Sequence, residues 1–212
     1  MVNPFVAVLR FGFRLLYNEM AWTYDWVSRG TSIGQWRSWQ RAGLRHLHGK
    51  RVLELAHGTG DLLLDMLVLG FEPIGFDLSR SMGRIASRKL RRHGVSAPLI
   101  RGRAQALPFA SDTFPAILST FPAEFIREPA VLSELRRVLQ PGGRLVIIPV
   151  ARITGAGPLD RFGDWLYRVT GQSDPRPLGF IAPLKIPGLD VRIELEKLPR
   201  SEVMVVIAEK KA

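Results

Sequence analysis

"VLELAHGTGD", Val52 to Asp61, decides how the rest of the chain reads. Apolar residues on both sides of Glu54 mark a strand covered on both faces, and Gly58 and Gly60 mark backbone that turns sharply or is approached closely. A carboxylate in a buried strand, followed by bare backbone, has the composition of a ligand site. Outward from this stretch the text alternates. A strand is expected at 51–56, a helix at about 61–69 and a second strand at 73–77 ("PIGFD"). Ser79 is a suitable N-cap for a helix running to about His93, with Gly94 as its stop. "APLIRG" and "FPAILST" read as further strands, and "EPAVLSELRRVL" as a helix with Pro129 near its start. "PGGRLVIIPV" reads as a tight turn into a buried strand.

Alternating short apolar strands and helices predict βαβ units, hence a parallel sheet covered on both faces. In such sheets a ligand sits beyond the carboxyl ends of the strands, where the strand order reverses. The unusual residues fall there: Glu54 to Asp61, Asp77, Arg103 to Gln105, and Ser119 to Phe121. Nearer the C-terminus, "PLDRFGDWLYRVTG" predicts a helix and is followed by a Pro-rich connector. "DVRIELEK" and "SEVMVVIAEK" then alternate around "LPR" and predict an antiparallel hairpin at the sheet edge. Upstream, a Trp-rich stretch predicts a helix from about Ile33 to Leu47.

With 212 residues the chain can bury one real core, and its lack of cysteine excludes disulfides, thiolate nucleophiles and Cys-ligated zinc. Its four His are scattered, so no metal site is expected. A reducing cytoplasm suits such a chain. The charge is uneven: +11 overall, with no acid between Asp25 and Glu54 or between Asp77 and Asp112. Arg37/Arg41/Arg45 and Arg80/Arg84/Arg88 fall at i, i+4 spacing, each set on one helix face. Either stripe could be a solvated face, or could meet anionic lipid, nucleic acid or an acidic substrate. No run reaches the roughly 18 apolar residues of a membrane span. As a helix, the N-terminal segment would put Phe5, Leu9, Phe13, Leu16 and Met20 on one face. That face is suited to packing on the core, covering the site, or lying on a membrane.

A dinucleotide site would require G-x-G-x-x-G, but Gly58-x-Gly60 continues to Leu63. Glu54 would also repel a phosphate, whereas it would attract a ligand bearing a cationic amine or a sulfonium.

Several motifs in order resemble the class I S-adenosylmethionine-dependent methyltransferases, in particular the branch that C-methylates ubiquinone and menaquinone precursors. "VLELAHGTGD" resembles the first motif, with Ala56 in place of its first glycine. "GFDLSRSM", "ALPFASDTFPAILST" and "ELRRVLQPGGRLVII" resemble the regions of the second, fourth and fifth strands, and "YDWVSRGTSIGQW" the N-terminal helix region. The resemblance implies a Rossmann-like, doubly wound, mostly parallel α/β sheet. It implies S-adenosyl-L-methionine as cofactor, with the methionine part against Ala56, Gly58 and Gly60. Glu54 would orient the amine and Asp77 would accept from the ribose hydroxyls. Leu78 and Met82 would lie against the adenine, with Ala104, Ser119 and Tyr24 completing the site. Arg103 stands where the family often has an acid that takes the adenine amino group, and a guanidinium offers donors only. His57, Asp25 and Glu124 are the candidate bases, although displacement at a sulfonium has no obligatory protein nucleophile.

The expected organisation is an N-terminal helical cover (1–48), a cofactor-binding core (49–150), a substrate-covering helix and connector (151–187) and a C-terminal hairpin (188–212) of the same domain. The expected partner is a small, lipophilic or quinone-like acceptor, with peripheral contact to an anionic membrane; the oligomeric state is left open. An RNA methyltransferase is disfavoured, because Ser119-Thr120-Phe121-Pro122 lacks the polar Asn/Asp-Pro-Pro-aromatic signature after the fourth strand. A non-catalytic cofactor-binding protein is the remaining alternative, with Arg103 its chief support.

Overall fold

Apolar runs of five to ten residues, each followed by a helix with one apolar stripe, assemble as such patterns require. The structure is a computed structural model that describes residues 34–155, 157–158 and 186–211. Its elements begin with α1 (Trp36–Ala42) and a 3-10 turn (Gly43–His46). There follow β1 (Arg51–Leu55), α2 (Asp61–Val68), β2 (Glu72–Asp77), α3 (Arg80–Arg92), β3 (Leu99–Arg101) and β4 (Phe114–Thr120). A second 3-10 turn (Glu124–Arg127), α4 (Pro129–Val138), β5 (Leu139–Ile148), β6 (Ala151–Ile153), β7 (Leu189–Leu198) and β8 (Ser201–Lys210) complete the chain. The expected N-terminal amphipathic helix, the 24–33 segment, the 158–171 helix and most of the Pro-rich connector lie outside the described residues.

The strands form one sheet in the order β3-β2-β1-β4-β5-β8. β1 pairs in parallel with β2 on one side and β4 on the other, so the chain winds outward to β3 and then crosses back. The reversal leaves a crevice beyond the carboxyl ends of β1 and β4, the place where open α/β sheets bind ligands. β8 runs antiparallel to β5, with β7 outside it and the short β6 on its first three residues.

Alternation along β1 divides the core. Leu53 and Leu55 join Leu135 and Val138 of α4 on one face, whereas Val52 joins Trp39, Leu62 and Met66 on the other. The fully buried Trp39 indole donates to the Ser201 hydroxyl at 2.7 Å and so fastens α1 to β8. The single helix expected over 33–47 is divided, and Gly43 gives the reason. A Cβ there would stand 2.9 Å from Leu118 Cδ1 and 3.2 Å from Ile148 Cδ1, so the chain lies flush on the sheet where the α-helix gives way to the 3-10 turn.

The first arginine stripe is consumed by the fold. Arg37 and Arg41 both donate to the buried carboxylate of Asp65 on α2, through Nε at 2.9 and 2.7 Å. Arg45 pairs with Glu196 of β7 at 2.7 Å. His46 lies 3.0 Å from that same carboxylate and 3.8 Å from Glu194. The ligand atoms of His46, Glu194 and Glu196 converge within 4.8 Å, a grouping that sequence spacing does not reveal. Arg45 and Arg192 already engage both carboxylates, and the cluster acts as an ion-pair clamp between the 3-10 turn and the hairpin.

Two glycines with the same backbone conformation differ in their surroundings. Gly60 (φ +80°) would place a Cβ 2.8 Å from the Ala86 Cβ of α3, whereas Gly70 (φ +81°) has nothing within 4 Å. Gly70→Ala should cost only the left-handed penalty, about 1–2 kcal/mol. Gly60→Ala should add an overpacking term of about 1–3 kcal/mol. Urea denaturation of both variants distinguishes the two, and equal losses would show that the approach of α3 to the loop carries no weight.

Candidate active site

Ligand geometry at the carboxyl ends of the strands starts with the backbone after β1. Three of five consecutive residues are left-handed: Ala56 at φ 60°, Gly58 at 54° and Gly60 at 80°. For Ala56 this conformation is strained, since its Cβ crowds the carbonyl, and the strain is held by a 2.7 Å bond from Ala56 N–H to the Phe76 carbonyl. Nothing lies within 4 Å of a Cβ built on Gly58, so its backbone faces open space. Gly58 N–H donates to Asp77 Oδ2 at 3.0 Å and Ser79 N–H donates to Oδ1 at 2.8 Å. The carboxylate that ends β2 thus braces the β1 loop and opens α3, with further acceptor capacity on each oxygen. Ser79 caps α3 as expected, accepting from Met82 N–H at 3.3 Å.

These residues border a cavity of about 830 Å³. One wall is made by Phe76, Asp77, Leu78, Met82, Arg103 and Ala104, and the other by Thr120, Phe121, Pro122 and Phe125, with Ala56 and Gly58 at the base. Phe121 is the second strained residue, at φ 48°, and its ring stacks on Trp36 of α1 at 4.4 Å between centroids. Beside it, Gln40 donates to the Thr120 hydroxyl at 3.3 Å, and the Gln40 Oε1 is buried without a partner.

Of the residues singled out in the sequence, Ala56, Gly58, Asp77, Leu78, Met82, Arg103 and Ala104 line this cavity together. Gly60 stands behind it, turning the chain into α2. Glu54 is 1 % exposed beneath the loop rather than on the cavity wall, and its Oε2 has no hydrogen-bond partner. Burial holds its carboxyl well above the usual carboxylate range, reinforced by the negative charges of Asp77, Asp61 and Asp65. Ser119 is also placed differently from its expected role: it is fully buried and its hydroxyl donates to the Leu55 carbonyl at 2.9 Å, tying β4 to β1.

Of the candidate bases, the two among the described residues do not line this cavity. His57 lines a separate groove on the α3 side, where Nδ1–H donates to the Gly58 carbonyl at 2.9 Å. Burial lowers its pKa, so the ring is neutral at pH 7. Glu124 is exposed at the start of its 3-10 turn and does not line the cavity. Asp25 and Tyr24 lie outside the described residues. Sequence reasoning missed Phe76 on one wall and Phe125 on the other, because an apolar residue at a strand end or in a short turn reads equally as core.

Comparison with known proteins places this geometry. Residues 52–143 match a family described as a methyltransferase domain. The chain is 34% identical over 161 residues to a demethylmenaquinone methyltransferase of Thermobifida fusca, an alignment covering 73% of this chain and 67% of the relative. It is 37% identical over 139 residues to a demethylmenaquinone methyltransferase of Thermus thermophilus, covering 63% of each. It is 34% identical over 147 residues to a ubiquinone/menaquinone biosynthesis C-methyltransferase of Syntrophotalea carbinolica, covering 66% of this chain and 62% of that one. The chain thus spans under two thirds of the length of the latter two relatives. A crystal structure from Methanococcus maripaludis, titled a putative S-adenosyl-L-methionine-dependent methyltransferase, shares the fold at a TM-score of 0.70 and 14% identity. That alignment covers 92% of this chain and 94% of the other.

The buried acid has a thermodynamic signature. An unfolded chain releases the Glu54 proton near the ordinary value of 4.5, whereas the native carboxyl keeps it to higher pH. This contribution to stability is complete below about pH 4.5 and is lost as pH rises through the native value. Glu54→Gln, which cannot ionise, should therefore gain stability relative to the parent between pH 5 and pH 8, read by urea denaturation at both. A difference independent of pH would show that the carboxyl is not held neutral.

Proposed function

Because the chain belongs to the class I S-adenosylmethionine-dependent methyltransferases, in the branch of the quinone-biosynthesis C-methyltransferases, we propose that it transfers a methyl group to a small, lipophilic, quinone-like acceptor. The cavity at the ends of β1, β2 and β4, with a carboxylate on one wall and aromatic rings on the other, is the observation that carries this reading.

The residues present suit the family's cofactor. Asp77 offers acceptors to two vicinal hydroxyls, and Leu78 and Met82 offer apolar surface for a purine. The open backbone at Gly58 leaves room for the amino-acid part. The orphaned Oε2 of Glu54, neutral in the free site, would accept from a cationic amine, directly or through water, and an arriving cation would favour its ionised form. Arg103, on the same wall, supplies donors that suit the ring nitrogens of a purine rather than its amino group. The bound cofactor supplies an electrophilic methyl on a sulfonium.

The protein's share of the reaction is alignment and exclusion of water. Phe121, Pro122 and Phe125 form a flat apolar wall that suits an aromatic acceptor, and Trp36 stacked behind Phe121 fixes that wall. An acceptor already nucleophilic at carbon, such as an electron-rich hydroquinone, would place the least demand on a protein base, and of the described candidates neither His57 nor Glu124 lies on the cavity wall.

Calorimetric titration with S-adenosylmethionine and S-adenosylhomocysteine tests the site. Both should bind saturably. Asp77→Ala should weaken both by roughly a hundredfold, the value of two hydrogen bonds to a charged acceptor, with Asp77→Asn intermediate and Arg152→Ala unchanged. Unaltered affinity in Asp77→Ala would remove the site assignment. Transfer of a labelled methyl group to a reduced demethylated naphthoquinone tests the acceptor, and cofactor binding without such transfer would overturn that part alone.

A further inference from the structure

A second concavity, of about 530 Å³, runs along the outer side of α3 between that helix and β3. It is lined by five arginines: Arg80, Arg84, Arg88 and Arg91 of α3 and Arg101 of β3, all exposed. From Arg80 to Arg91 the helix rises about 16 Å. Among the described residues none of the five makes an ion pair. Arg91 donates to the Ser87 hydroxyl and Arg101 to the Leu78 carbonyl. Among the described residues the only carboxylate bordering the groove, that of Asp77, already accepts two backbone N–H groups. The other stripe, of identical spacing, is wholly paired. Five guanidiniums converging without counter-charge repel one another, and a polyanion seated along them relieves that repulsion.

We propose that this groove docks the protein on an anionic lipid surface through phosphate headgroups. The sharing of Arg80 and Arg84 between groove and cavity puts the basic strip at the cavity mouth. There Leu78 stands 63% exposed, its carbonyl held by Arg101, an apolar tip flanked by cations as interfacial proteins present them. Nucleic acid fits less well, because among the described residues no Phe, Tyr or Trp lines the groove to stack a base. The docking rests on charge alone; its use, delivering a lipophilic acceptor from the bilayer to the cavity, rests on the proposed function.

The test is co-sedimentation of the full chain with vesicles of pure phosphatidylcholine and of phosphatidylcholine mixed with phosphatidylglycerol. Binding to the mixed vesicles only is expected. Arg88→Gln/Arg91→Gln, which lies outside the cavity, should lower it by roughly thirtyfold at about 1 kcal/mol per basic residue near the surface. Arg88→Glu/Arg91→Glu should lower it further. Both variants should keep the parent's melting temperature and its affinity for S-adenosylhomocysteine. A parent that fails to bind S-adenosylhomocysteine would overturn the methyltransferase reading and leave the vesicle result standing. Equal binding of parent and charge-reversed chain, equal binding to neutral vesicles, or tighter groove-dependent binding of a single-stranded RNA that displaces the vesicles would each overturn the docking proposal.

Discussion

A single hydrogen bond, from Gly58 N–H to the Asp77 carboxylate, joins the ends of two neighbouring parallel strands, and the geometry of the candidate site depends on it. The bond requires the chain leaving β1 to turn back toward β2, which it does through left-handed residues at 56, 58 and 60. The last of these must be glycine for a second reason, the 2.8 Å approach of Ala86. One loop therefore sets the base of the cavity, the start of α2 and the seat of α3. The carboxylate that braces it is the same group proposed to meet the ribose. A ligand arriving there finds an acceptor already oriented by two backbone donors, so little ordering is left to be done on binding.

The fold was legible because its signals are local. β1, α2, β2, the Ser79 cap, α4 and the terminal hairpin are each marked by residues within their own span, and each appears within a residue or two of expectation. In the site, the glycine loop and Asp77 were legible for the same reason, because strand-end chemistry is written in adjacent letters. The side-chain direction of Ser119 was not legible, because a hydroxyl at a strand end looks the same whether it faces a cavity or caps the carbonyl of Leu55, 64 residues away. Nor was that of His57: the loop that presents Gly58 to the cavity sends the neighbouring ring to the groove along α3.

Charge shows how little spacing alone decides. Arg37/Arg41/Arg45 and Arg80/Arg84/Arg88 are indistinguishable as patterns. The first stripe meets Asp65 and Glu196, which lie 24 to 151 residues away in sequence, and becomes part of the scaffold. The carboxyl group of Asp65 is held below its ordinary range by the two guanidiniums against the opposing effect of burial, as expected of an ion pair that the fold has enclosed. The second stripe meets no acid among the described residues, near or distant in sequence. Arginines without an ion pair among the described residues thus gather on one flank of the cavity.

The departures from the family pattern fall on the two sides of the cavity and have different physical meanings. Ala56 occupies a left-handed position where glycine would sit without strain, so the loop stores roughly 1–2 kcal/mol in its backbone. It adds a methyl group at the base of the cavity, which narrows the space available to a ligand. A buried acid without a partner is costly, and its cost is relieved only by a donor or cation entering from the cavity. Arg103 adds a positive charge to the rim rather than the floor, where it cannot neutralise Glu54. Cations at the mouth and an unpaired acceptor beneath the base thus suit a zwitterionic ligand that enters amine first.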